Sequence, residues 1–291
     1  GSSPYLAPQF FSVIAYVEQV FGAWYVKGGI YQIAKALEKL CGEMGIKINY
    51  GTKLTGIEND KRIISKLFFA NSDNSQTSVS DFDCLISNFT NNRQLSEDEY
   101  FENTDWSCSG FIMIMGMNKK FDELSHHNIL FSDNYEKEFL DIFEKKIPAD
   151  DMTVYISISK KDDPDDAPGE CENWFVLVNA PSLSDKFQWT AENKIIYKNK
   201  IIDKIVSFYR VFDCNIRDHI EFCEIFTPED FLINYNSEFG SIYGLSSNSL
   251  YSLLKRPKNK SGKYNNLFFT GGNTHPGGGV PLCFLSGKIV S

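Results

Sequence analysis

The sequence predicts an α/β fold in two interleaved parts: a segment of nucleotide-binding type and a mixed-sheet domain. Three observations predict it. A helical pattern near residue 30 is followed by short strands up to residue 88. Four apolar strand patterns then lie between residues 109 and 226. Finally a strand, a glycine loop and a helix start follow one another after residue 267.

The elements are justified in order. Pro8 to Tyr25 is apolar on nearly all sides, with Pro8 suited to a first helical turn and Gly22 to a stop. This stretch is too short to span a bilayer and too apolar for a free surface helix. It reads either as a buried core helix or as the wall of an apolar cavity or a membrane-dipping element. Ile30, Ile33, Ala34, Leu37, Leu40, Cys41 and Met44 recur at helical spacing, and Gly45 closes that helix. Ile46–Tyr50, Leu54–Glu58, Ile63–Phe69 and Asp81–Asn88 read as strands, and the polar run from Asn71 to Asp81 as a turn or excursion.

Beyond Asn91 the strands are Ser109–Met117, Thr153–Ser159, Asn173–Ala180 and His219–Phe226. Several are apolar at successive positions, so both sheet faces are expected to be covered. Helices fit Glu136–Lys145 and Ala191–Val211. Arg256–Asn266 reads as a polar connector back to the first part. No internal repeat is present.

Bulk properties exclude several functions. The 291 residues suit one large domain or two ordinary ones. The net charge of −9 argues against nucleic-acid binding, which needs a positive surface. Seven cysteines stand singly, without CxxC spacing, so no zinc site is expected, and buried free thiols in a reducing cytoplasm are. The acidic loop Asp162–Asp166 lacks the spacing of a calcium loop. No run of 18 apolar residues occurs. The chain begins at Gly1 without Met and stops inside a helical pattern, and we read it as a piece of a longer protein.

The stretch FFTGGNTHPGGGVPL, Phe268 to Leu282, carries the chemistry. Five glycines, two prolines and one histidine fall within its fifteen residues. Gly271 and Gly272 end a short strand, and Val280 to Val290 reads as an apolar helix with Pro281 in its first turn. Glycines let backbone approach a ligand closely. A helix start offers unpaired N–H groups and partial positive charge. A phosphate or a reduced flavin ring would satisfy that arrangement equally well, and a tight packing loop is the plain alternative. There is no GK[ST] and no GxGxxG, so neither a P-loop nor a dinucleotide-clamping turn is present.

HPGGGVP, followed by LSGK, closely resembles the C-terminal signature of the carotenoid desaturases, flavoproteins of the bacterial and fungal phytoene desaturase type. SSPYLAP at Ser2–Pro8, FGAWYVKGG at Phe21–Gly29, HHNILFS at His126–Ser132 and YGLSSNSLYSLLKRPKNK at Tyr243–Lys260 extend the resemblance along the whole chain. Where the family has Pro after Trp-Tyr, this chain has Val26, which affects one turn.

The resemblance implies an FAD-dependent, amine-oxidase-like fold, Rossmann-like in part, whose N-terminal ADP-binding unit would precede this piece. Residues 1–29 would then be a substrate-domain helix and interdomain segment. Residues 30–92 would belong to the FAD-binding domain, 93–255 to the substrate domain, and 256–291 to the FAD-binding domain again.

By position, Gly271, Gly272, Thr274, His275, Pro276, Gly277, Gly278, Gly279, Val280 and Pro281 would line the cofactor, with Gly28 and Gly29 near it. Phe21, Trp24 and Tyr25 would line the substrate, and Met113 and Met115 form an adaptable row that is either core or polyene lining. His275 is a candidate acid or base beside the flavin, or a loop brace. His126 and His127, being adjacent, are expected on opposite faces of a strand.

The implied reaction is desaturation of a long apolar polyene by hydride transfer to FAD. Related flavoproteins that isomerise carotenoids, desaturate hydroxycarotenoids or saturate retinoids are alternatives, as is a non-catalytic lipid-binding module. Burying a methylene is worth about 0.8 kcal/mol, so a substrate of about 30–40 carbons must come from lipid. The expected protein is therefore cytoplasmic with a peripheral membrane face. This piece alone is expected to hold FAD weakly and to be inactive.

Overall fold

The computed structural model describes residues 1–88, 105–209, 214–248 and 256–291. In chain order the first elements are α1 (Ser12–Phe21), α2 (Tyr31–Glu43), β1 (Thr52–Asp60), β2 (Ile63–Asn71), β3 (Gln76–Val79) and β4 (Leu85–Ser87). Then come β5 (Ser109–Met117), β6 (His127–Leu130), α3 (Tyr135–Leu140), β7 (Val154–Ser157), β8 (Glu172–Ala180) and α4 (Ala191–Phe208). β9 (Ile220–Phe226), α5 (Pro228–Tyr235), β10 (Leu267–Phe269) and α6 (Val280–Val290) complete the order. The described residues form a mixed α/β fold with three sheets.

The chain crosses between two units. The first comprises Gly1–Ile30, Trp106–Ile242 and Ser246–Ser249, and the second Tyr31–Asp105, Tyr243–Leu245 and Leu250–Ser291.

In the first unit an antiparallel sheet has the order β6-β7-β8-β5-β9. Alternation along β5 sends Phe111, Met113, Met115 and Met117 to one face, all at 0–1% exposure. Ile201, Ile202 and Ile205 of α4 are buried in the same core, and Tyr197 donates its O–H to Ala149 O at 3.1 Å. Burial pushes the Tyr197 phenol pKa up. Thr190 caps α4 by accepting from Asn193 N.

The other face of this sheet is half open, which corrects the expectation of two covered faces. Ile112 and Leu177 pair directly and are half-buried, and Phe175, opposite Ile114, is 37% exposed.

In the second unit β1-β2-β3 form an antiparallel sheet, and β10 pairs with β4 in parallel. A small core joins Ile64, Leu67, Tyr264, Leu267 and Phe269. β3 lies inside the run expected to be a turn, because Gln76–Ala70 and Val79–Leu67 pairing recruits polar residues into a third strand. Ile46–Tyr50 is not a strand: a strand needs a hydrogen-bonded neighbour, and none of the described residues supplies one.

α1 has no buried residue in this chain. Val13, Ile14, Tyr16, Val17, Val20 and Phe21 are each at least 45% exposed. Of the seven free cysteines only Cys108 is buried, fewer than the sequence suggested. No helix among the described residues is long and apolar enough to cross a membrane.

Candidate functional site

β10 delivers the chain into the glycine turn. Its parallel partner β4 extends the pairing, with Thr270 N donating to Ser87 O at 2.9 Å. Gly271 N donates to the buried Ser286 Oγ at 2.8 Å, and that hydroxyl donates to Cys283 O at 2.7 Å. One serine thus ties the end of the strand to α6. Gly271 has φ of +97°, and a Cβ there would lie 1.8 Å from Asn88 Oδ1. Only glycine meets both demands.

The middle of the turn is braced from within. Thr274 is buried and donates its hydroxyl to Gly271 O at 3.2 Å. His275 N donates to Pro257 O at 3.0 Å, and His275 O accepts from Asn259 Nδ2 at 2.9 Å. The bracing runs through the His275 backbone, while the residue itself is exposed.

Gly279 ends the turn as the N-cap of α6, with no side chain capping the first N–H groups and open space where its Cβ would be. Pro281 in the first turn removes one donor at no cost to the helix. A cleft of about 370 Å³ lies beside the turn, lined by Asn88, Thr270, Gly271, Cys283, Phe284 and Gly287. Burial pushes the Cys283 thiol up, so it stays neutral. The α6 start offers backbone donors and partial positive charge, and the cleft offers the apolar flank of Cys283 and Phe284.

The structure gathers the expected positions from Gly271 to Pro281 in the second unit, whereas Phe21, Trp24, Tyr25, Gly28 and Gly29 belong to the first. There Tyr25 donates to Asp166 Oδ2 at 3.0 Å, and Gly28 N donates to Asp163 Oδ2 at 2.8 Å. Desolvation, the Asp166 hydrogen bond and the charges of Asp166 and Asp163 push the Tyr25 phenol up, so it remains a donor. Trp24 is 87% exposed.

His126 and His127 do not face apart. Only His127 lies in β6, and the two rings stack with centroids 4.3 Å apart. His126 Nδ1 lies 2.5 Å from Asp162 Oδ2, and His127 Nδ1 2.8 Å from Tyr155 OH.

Met113 and Met115 sit in the closed core, the first of the two alternatives left open by the sequence, and in this chain they present no surface to a ligand. A one-residue step along β5 reaches Ile112 and Ile114 on the half-open face. Reading the strand with period two, and asking which phase carries the bulkier set, would have separated the faces.

Sequence reasoning also missed Arg256, hidden in what looked like a polar connector. The residue is 7% exposed, and its guanidinium donates to Gly272 O at 2.9 Å, to Leu245 O at 3.2 Å and to Tyr243 O at 3.3 Å. Among the described residues no group of three or more His, Cys, Asp or Glu side chains is placed to hold a metal.

No protein-family profile matches the chain. Individual proteins do. A 1-hydroxycarotenoid 3,4-desaturase from a Flavobacterium species is 35% identical over 299 residues, the whole of this chain and 59% of that protein. Over its whole length the chain is similar to carotenoid desaturases and oxygenases. A 4,4'-diapolycopene oxygenase from a Methylomonas species is 32% identical, across 100% of this chain and 58% of that protein. A 4,4'-diaponeurosporene oxygenase of Staphylococcus aureus is 33% identical, across 100% and 59%. The chain therefore spans a little under three-fifths of these relatives. Among solved structures, a flavoprotein/dehydrogenase from Cytophaga hutchinsonii aligns with a TM-score of 0.42 at 12% identity, over 87% of this chain and 48% of that one. That likeness is too slight to bear on function.

Proposed function

We propose that this chain is the larger part of an FAD-dependent oxidoreductase that desaturates a long, apolar carotenoid-type substrate. The observation that carries the reading is the Gly271–Gly279 turn, which begins at an open cleft and ends in an uncapped helix start. The residues fit a flavin. The first N–H groups of α6 would face the electron-rich edge of the ring, and the Thr270–Gly271 backbone with Phe284 would flank it. Bound FAD would supply the hydride acceptor.

The chain's own residues then have defined duties. The turn fixes the ring. Within the first unit, the half-open sheet face of Ile112, Ile114, Leu177 and Phe175, rather than Met113 and Met115, is the proposed apolar surface for a hydrocarbon chain. His275, with an exposed side chain, is retained as the candidate proton carrier.

The membrane surface is the proposed source of substrate. α1 carries six exposed large apolar or aromatic residues and a single charge, Glu18. An exposed apolar surface of this kind marks an interaction site, and a lipid interface is the partner proposed for it. Replacing Val17 and Phe21 by Glu should release the protein from lipid vesicles in a flotation assay. Unchanged flotation would contradict the docking role.

The polypeptide from the natural reading frame, purified in detergent, tests the main reading. It should show flavin absorbance near ~450 nm and convert a polyene to a product with more double bonds. Products with inserted oxygen would instead place it with the similar oxygenases. Flavin-free protein that binds a polyene unchanged would make it a lipid-binding module.

A further inference from the structure

The Arg256–Asn259 segment joins several points of the glycine turn. Arg256 holds Gly272 O at the turn's start, Pro257 O accepts His275 N, and Asn259 Nδ2 donates to both Phe269 O and His275 O. Gly277, at φ +137°, sits against the guanidinium: a Cβ there would come 3.4 Å from Nε and 3.5 Å from Cζ. On its far side the same guanidinium grips the carbonyls of Tyr243 and Leu245. The turn therefore has a clamped inner side, with Gly271, Thr274 and Gly277 buried, and an open outer side, with His275, Gly279 and Val280 exposed.

We infer that Arg256 is a positioning residue for the proposed flavin, presetting the turn and placing a fixed positive charge behind it. The inference rests on the flavin reading of the turn. A guanidinium serves where an ammonium would not: its planar fork reaches carbonyls of two segments at once. Burial pulls its pKa down, from a value so high that it stays charged at neutral pH. A charge in a poorly solvated place acts further than one at the surface. It adds to the partial charge of the α6 start and favours the electron-rich, reduced ring.

The test uses the polypeptide from its natural reading frame, with Arg256→Met and Arg256→Lys. Flavin affinity is read by fluorescence quenching, reduction potential by spectroelectrochemistry and folding by thermal melting. Arg256→Met should weaken flavin binding at least tenfold and move the potential to more negative values. Arg256→Lys, which keeps the charge and loses the fork, should recover the potential while still binding several-fold more weakly. A folded Arg256→Met protein with wild-type affinity and potential overturns the inference. Should Arg256→Met not fold, a folded Arg256→Lys with wild-type affinity overturns it instead. A wild-type protein that binds no flavin refutes the underlying functional reading, an outcome visible before any variant is made.

Discussion

Ile201, Ile202 and Ile205 of α4 are 0–4% exposed, while Leu282, Phe284 and Leu285 of α6 are 38–49% exposed. The two helices are similarly rich in large apolar side chains, and their surroundings differ. Among the described residues, 22 buried side chains form one core between the sheet and α4 in the first unit, whereas the second unit's core has five. α2 has no buried residue, and α6 has only Ser286. Among the described residues the first unit's packing is concentrated in one large core, and the second unit's in a small one. Hydrophobic sequence specifies burial only where a partner surface exists.

Breaking that contrast should give unequal costs. The largest is expected at Trp174, 1% exposed, packed edge-on to Phe121 and donating Nε1–H to Glu172 Oε2 at 2.9 Å. Trp174→Ala should cost about 3–5 kcal/mol in denaturant unfolding of the first unit. Glu172→Ala comes close behind. It takes the carboxylate from Lys161, whose Nζ is 2.7 Å from Glu172 Oε1 and keeps its bond to Phe121 O, and removes the acceptor of Phe121 N. Breaking such a buried pair costs about 3–5 kcal/mol. Gly271→Ala should cost about 1–3 kcal/mol in the second unit, from positive φ alone, before the Asn88 clash. Unlike the two core variants, it should abolish flavin retention while the first unit still melts normally. Phe284→Ala should sit at the bottom, within about 0.5 kcal/mol in this chain.

A pH profile sharpens the same comparison. Glu138 is 1% exposed; burial raises its pKa, against the opposing hydrogen bonds from Thr153 N and Oγ1. A carboxyl raised in the folded state contributes stability below its unfolded pKa and loses it as pH rises through the folded value. Wild-type stability should therefore fall as pH climbs from the ordinary carboxylate range through that raised value. Glu138→Gln keeps an acceptor for Thr153 and should flatten the fall. An unchanged slope in urea melts between acid and neutral pH would refute the assignment.

What the sequence made legible follows the same line. β5 and β8 match their expected spans to within a residue, because long apolar runs with period two tolerate one structure. The turn before α6 was legible because glycine and proline report backbone geometry directly. β3 was not, since its polar residues enter a strand only through pairing with β2. α5 was overlooked although Thr227, Pro228 and Asp230 spell a capping box with proline at its first position. Arg256 could not be seen: its importance lies in three carbonyls brought to it by the fold, and none is marked in its neighbours' side chains.

The most direct measurement is flavin stoichiometry in the folded polypeptide from the natural reading frame, equilibrated with FAD and then desalted. Close to one flavin per chain in the wild type, and a loss of it in Gly271→Ala, is the predicted result. Wild-type protein that folds, is saturated with FAD and keeps none after desalting would contradict the account.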